Sequence, residues 1–185
     1  MKFQSKSYKT KTGESITIRT AREDEAKALR NLKLKIIKNS MTIPMYPEEY
    51  RYDEDGEREL IKKYNESSNS ILLVAEANNQ LIGMIDLTGH DRKIMAHTAM
   101  IGMSVDEEWR NKGVGTSLIR GVLDWAKSSS ELEVIWLDVY DNNELGLGLY
   151  KKMGFKISGK IERFFKYKNE YFDNIKMYQL LPKKG

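Results

Sequence analysis

Val105-Asp106-Glu107-Glu108-Trp109-Arg110-Asn111-Lys112-Gly113-Val114-Gly115-Thr116 is the stretch on which the reading of this chain turns. It follows Thr98 to Val105, which reads as a strand. It opens Val114 to Lys127, where Leu118, Val122 and Trp125 recur on one helical face. A strand therefore passes through a short basic, glycine-containing loop into a helix. The first turn of a helix carries N–H groups without carbonyl partners and a partial positive charge, and together these favour a phosphate. Gly113 and Gly115 remove side chains where a diphosphate has to approach the main chain, and Arg110 and Lys112 add positive charge at the rim. Taken alone, the stretch also fits an ordinary strand–helix turn that uses glycine for its conformation. Two other phosphate loops fit worse: GxxxxGK[ST] is absent, and a dinucleotide fingerprint needs a third glycine where Leu118 stands.

Working outward, residues 5–11 and 15–19 flank Thr12-Gly13-Glu14 as a hairpin. Thr20 and Glu23 have capping-box spacing, and Leu29, Leu32 and Ile36 then predict a helix over 22–38. Pro44 and Pro47 break the chain before a second helix over 56–66. Ile71 to Ala77 and Leu81 to Leu87 form a hairpin around Asn78-Asn79, residues that tolerate left-handed turn conformations. Glu133 to Val139 alternates as a strand buried mainly on one side. Asn143 to Met153 is a helix with Gly154 as its C-cap. Phe155 to Phe165 and Tyr171 to Leu181 close as a hairpin through Lys168-Asn169-Glu170. This order of elements predicts a mixed α/β sheet rather than a doubly wound parallel one.

The chain has 185 residues, 40% of them hydrophobic, enough for one domain with a real core. A net charge of +4 is too small by itself to argue for nucleic acid. With no cysteine and only His90 and His97 as imidazoles, disulfides, thiolate sites, a cysteine nucleophile and a histidine-rich metal site are excluded, and no metal is expected. Apolar runs such as Ile71 to Ala75 are too short to span a bilayer, and Met1 and Lys2 lead into polar residues. The expectation is one cytoplasmic domain over 1–185, with 1–14 as a hairpin arm. Glu48 to Glu59 holds seven acids against two bases. It reads as a solvated surface segment, or, more sharply, as an acidic rim that attracts a cationic substrate.

Arg110-x-x-Gly113-x-Gly115 resembles the R/Q-x-x-G-x-G/A acyl-CoA loop of the GNAT superfamily of N-acetyltransferases. A second block strengthens the likeness. Val139 to Phe155 is similar to the family's V-x-x-x-N-x-x-A-x-x-L-Y-x-x-x-G-F, with Asn143, Tyr150, Gly154 and Phe155 in register and Gly146 and Gly148 where alanine is usual. The departure should weaken that helix by about 1 kcal/mol per glycine. The resemblance covers about Ile16 to Leu181. It implies a mostly antiparallel sheet of about seven strands with about four helices, splayed between its fourth and fifth strands.

It implies further that acetyl-CoA lies in that gap. Its pantetheine arm would bond the backbone of Met103-Ser104-Val105, and its phosphates would meet Arg110, Asn111, Lys112, Gly113, Val114, Gly115 and Thr116. Asn143 is expected on the cofactor side, as a helix N-cap, a pantetheine partner or both. Tyr150 is the expected general acid, because a thiol of pKa ~8.5 leaves readily with help from a phenol of pKa ~10. The base that deprotonates the amine is open among Asp86, His97, Asp138 and a water chain. Tyr171 and Asp173 either line the acceptor pocket or are strand polar residues. The implied activity is acetyl transfer to the primary amine of a small molecule such as an amino acid or polyamine, by direct attack in a ternary complex. Transfer to a protein or peptide amine and a non-catalytic acyl-CoA sensor are the alternatives, and a homodimer is the default assembly. Interleaved bases and aromatics over Arg163 to Lys168 also suit nucleic-acid stacking, but strand alternation explains them more cheaply.

Overall fold

The structure, a computed structural model of the chain, describes residues 3–129 and 131–182. Met1 and Lys2, at the start of the expected hairpin arm, lie outside the described residues. The elements are β1 (Lys6–Lys9), β2 (Ser15–Thr20), α1 (Ala26–Lys38), α2 (Glu54–Glu66), β3 (Ile71–Ala77) and β4 (Gln80–Gly89). They continue as β5 (Thr98–Val105), α3 (Val114–Ser129), β6 (Val134–Tyr140), α4 (Glu144–Lys152), β7 (Lys156–Tyr167) and β8 (Glu170–Leu180). The strands form one sheet in the order β1-β2-β3-β4-β5-β6-β8-β7. Eight strands appear rather than about seven because β1, the outer half of the N-terminal hairpin, pairs with β2 from Lys6↔Ile18 to Lys9↔Ser15.

Both faces of the sheet's middle are covered. Leu73, Ile85, Ile101, Ile135 and Leu137 point toward α3 and α4, where they pack with Leu118, Ile119 and Val122. Leu72, Val74 and Met84 point the other way, toward Leu29 of α1 and Ile61 of α2. The alternation follows from the two-residue period of a strand, which sends neighbouring side chains to opposite faces. Asn78 and Asn79 both take positive φ, 49° and 59°, and close the β3–β4 hairpin as the sequence predicts.

The one parallel pair is β5–β6, and it is hydrogen-bonded in register only from Thr98↔Val134 to Met100↔Trp136. Beyond that point β5 stays with β4 as far as Val105, and β6 stays with β8 as far as Tyr140. Each strand follows its own half-sheet, so the two part and leave Met103–Val105 without a neighbour on that side.

Two helix starts differ from the expectation. Thr20 belongs to β2, opposite Leu73, and is therefore held away from any capping role. The carboxylate of Glu25 instead accepts from the Arg22 N–H at 2.9 Å and closes a 3₁₀ turn ahead of α1. The second helix starts at Glu54 rather than residue 56, because Asp53 caps it by accepting from the Gly56 N–H at 2.8 Å.

Candidate active site

A hollow of about 330 Å³ opens where β5 and β6 part. Met103, Ser104, Val105, Arg110, Asn111, Gly113, Gly115, Thr116, Asn143 and Tyr150, ten of the twelve residues singled out from sequence, line it. The loop is shaped by local geometry. Asn111 and Gly113 take positive φ, 61° and 96°, which lets the chain reverse into α3 beside the hollow. The Arg110 guanidinium donates to the Val105 carbonyl at 3.2 Å, tying the loop back to the strand it leaves.

The two glycines of the loop serve different ends. A Cβ at Gly113 would meet nothing within 4 Å, so its role is conformation and open approach. A Cβ at Gly115 would sit 2.9 Å from Leu149 Cδ2 and 3.3 Å from Met103 Cε, so this position also lets α3 lie close to α4 and β5.

Two of the residues expected at the cofactor, Lys112 and Val114, do not line the hollow. Val114 turns its side chain into the core, 1% exposed. Lys112 is drawn outward: its ammonium meets the Glu14 carboxylate at 3.0 Å and lies 4.8 Å from the Trp109 ring centroid. Sequence reasoning had no means to foresee a carboxylate 98 positions away. The hollow gains residues the motif did not name, among them Lys11 from the β1–β2 turn and Ile36, Ser40, Thr42 and Ile43 around the end of α1.

Asn143 caps α4 by accepting from the Gly146 N–H at 3.0 Å while also lining the hollow. A Cβ at Gly146 would meet the Asn143 side-chain amide at 2.8 Å, so an alanine there requires that amide to shift. Gly148 faces open space in the hollow. Tyr150 is 7% exposed and meets the Phe155 ring edge-on at 5.8 Å between centroids. Burial, and next the charge of Asp86, push its phenol up to about 12. At neutral pH it is therefore a protonated donor set in an apolar seam.

The charge that reaches Tyr150 comes from the opposite side of the sheet. Asp86 on β4 pairs with Gly102 on β5, and a Cβ on Gly102 would lie 2.9 Å from Asp86 Oδ1, so the glycine makes room for the carboxylate. Asp86 is half-buried between β4 and the helices α1 and α2 and does not line the hollow. Burial raises its pKa to about 6, against the opposing pull of Lys33 and of the Thr88 hydroxyl, which donates to it at 3.3 Å. The Tyr64 hydroxyl is 2.7 Å from that of Thr88. Nearby, Glu57 is fully buried, held by Lys33 at 2.6 Å and by the Tyr50 hydroxyl.

The acidic stretch 48–59 thus divides. Glu57 turns inward, Asp53 caps α2, and Glu54 and Asp55 pair with Arg58 along the helix surface. Of the other base candidates, His97 is exposed at the foot of β5, and Asp138 pairs with Lys176 at 2.8 Å. Asp173 binds Lys160 and the Arg163 N–H, and Tyr171 lies 4.2 Å from the Arg163 guanidinium, so both are engaged within the β7–β8 hairpin.

A sheet parted at the parallel pair β5–β6, with a glycine loop after one strand and a buried tyrosine lining the gap, defines the class of acyl-CoA-dependent N-acyltransferases that the motifs imply. Known proteins agree. The model of the acetyltransferase (GNAT) family matches residues 37–155, and the chain belongs to that family. It is 27% identical over 161 residues to L-amino acid N-acetyltransferase AaaT of Escherichia coli, spanning 85% of this chain and 93% of that one. To the spermidine N(1)-acetyltransferase of Vibrio cholerae it is 25% identical, over 91% of this chain and 94% of that one. The fold superposes on a GNAT-family acetyltransferase from Streptococcus pneumoniae with a TM-score of 0.87 at 24% identity, covering 90% and 99% of the two chains. On yncA from Salmonella typhimurium, solved with acetyl-CoA, the TM-score is 0.81 at 17% identity, covering 91% and 95%. The protein is an acetyl-CoA-dependent N-acetyltransferase.

Proposed function

We propose that this enzyme transfers the acetyl group of acetyl-CoA to the primary amine of a small molecule, of the amino acid or polyamine kind, by direct attack in a ternary complex. The observation that carries the reading is Tyr150 lining the gap between β5 and β6, with Asp86 close enough across the sheet to raise its pKa. The amino acid and spermidine enzymes among its relatives support the acceptor class.

In this reading the free N–H groups of Met103–Val105 and of the turn into α3 hold the thioester and the diphosphate. Asp86 takes a proton from the acceptor's ammonium, and the freed nitrogen lone pair attacks the thioester carbonyl carbon. As the C–S bond breaks, the nitrogen loses its second proton to solvent, and Tyr150 gives its proton to the departing sulfur. Tyr150 then recovers a proton from solvent, and Asp86 releases the one it took. The balance is one amide, one thiol and one released proton. A carboxylate with a pKa of about 6 is charged at neutral pH and basic enough to share the proton in the transition state. Positioning two reactants in one cleft supplies much of the remaining acceleration.

The test is thiol release from acetyl-CoA with a panel of amino acids, polyamines and peptides. Turnover on a small amine is the expected result. Turnover on peptides alone overturns the acceptor class, and tight coenzyme A binding with no turnover on any amine overturns catalysis.

A further inference from the structure

The turn between β1 and β2 reaches across to the loop before α3 and locks onto it. The Lys11 N–H donates to the Lys112 carbonyl at 3.0 Å. The Glu14 carboxylate accepts from the hydroxyls of Thr10 and Thr12 and receives the Lys112 ammonium at 3.0 Å. Thr10 is buried, its hydroxyl also accepts from the Glu14 N–H at 3.0 Å, and Gly13 supplies the positive φ of 92° that the turn requires. The two hydroxyls, and after them Lys112, hold the Glu14 carboxyl down to about 2, so the grip persists across the physiological range.

This contact exchanges one lysine for another. Lys112, the basic residue inside the motif, is committed to Glu14 and to the Trp109 ring and does not line the hollow. Lys11, which no motif includes, does line it, beside Arg110, Asn111 and Gly113. Its ammonium is within ion-pair distance of no carboxylate among the described residues. A lysine whose backbone is pinned to the loop and whose charge is uncommitted, at a cavity lined by Arg110 and the turn into a helix, suits an anion.

We infer that Lys11 is a phosphate-binding residue of the coenzyme A site, delivered by the N-terminal hairpin, and that Glu14 and Lys112 act by positioning it. The inference rests on the hollow being the coenzyme A site. The shared chemistry is a phosphate of the nucleotide half, which can be the diphosphate or the ribose 3′-phosphate.

Calorimetric titration of the full chain with coenzyme A and with 3′-dephospho-coenzyme A tests it. At low salt Lys11→Ala weakens coenzyme A binding about fivefold, the scale of one partly screened ion pair, with a shallower dependence of Kd on salt. Lys11→Arg keeps the charge and restores the affinity, and melting curves of both variants match wild type because the side chain is exposed. Lys112→Ala weakens binding less than Lys11→Ala. If the loss in Lys11→Ala persists with dephospho-coenzyme A, the partner is the diphosphate, and if it vanishes, the 3′-phosphate. Wild-type affinity in Lys11→Ala, or a larger loss in Lys112→Ala, overturns the assignment of Lys11. No coenzyme A binding by the wild type overturns the hollow's assignment, and this inference with it.

Discussion

On the side of the sheet that faces α3 and α4, the site is built from main chain: bare turns, a strand left without a neighbour, and helix ends. The side that faces α1 and α2 carries instead a cluster of side chains, Lys33, Tyr50, Glu57, Tyr64, Asp86 and Thr88, drawn from separate parts of the chain. Main-chain sites depend on conformation, which local spacing of glycine and asparagine specifies, and they tolerate variety in the residues around them. Side-chain sites depend on which distant residues meet, and buried charges there must be mutually satisfied. The first kind suits a cosubstrate that the family holds in common. The second suits an acceptor that differs from one member to the next.

The sharpest way to break this division is at the point where the two halves meet. Tyr150→Phe lowers kcat by roughly 10²–10³-fold, a general-acid effect, while coenzyme A affinity stays within about twofold by calorimetry. Equal turnover in the two proteins removes the phenol from the chemistry.

Asp86→Asn lowers kcat/KM by about 10²-fold and removes the acid limb expected of wild type near pH 6. Its effect on stability has the opposite sign. A carboxyl whose folded pKa lies above its unfolded value near 3.9 contributes most below that value, and the contribution is lost as pH rises through about 6. The melting temperature of Asp86→Asn therefore exceeds that of wild type above pH 7 and not near pH 4. A wild-type rate profile flat through pH 6 excludes Asp86 as the base.

On the main-chain half, Gly113→Val forces a β-branched residue into φ of 96°, costing on the order of 1–3 kcal/mol of stability. It also weakens coenzyme A binding about tenfold, because the side chain enters the approach to the loop. Unchanged affinity contradicts the placement of the diphosphate. The smallest effect is expected at the outer acids. Asp55→Asn, on the exposed face of α2, leaves the acceptor KM unchanged and stability within about 0.5 kcal/mol. A raised KM there revives an electrostatic rim.

The difference between the halves also explains what could be read in advance. Strands and helices followed from apolar periodicity, the β3–β4 turn from Asn78-Asn79, and the cap of α4 from Asn143, because each is decided within a few residues. The start of α1 was misplaced because Thr20 is claimed by pairing with Leu73, a tertiary demand that overrides a local capping signal. Lys112, a motif residue, is held by Glu14, while Lys11, which no motif includes, lines the hollow. The carboxylates Asp86 and Asp138 looked alike in sequence. One is set against Gly102 with its pKa raised by burial, and the other is paired with Lys176.

From the order of its residues alone, this chain specified its family, its mixed sheet and the glycine turn into α3, since those rest on short-range backbone preferences and the periods of strand and helix. Folding in three dimensions decided which of several like charges is spent on a neighbour and which is left facing a ligand. That choice depends on distances between residues far apart in the chain, and no local pattern encodes them.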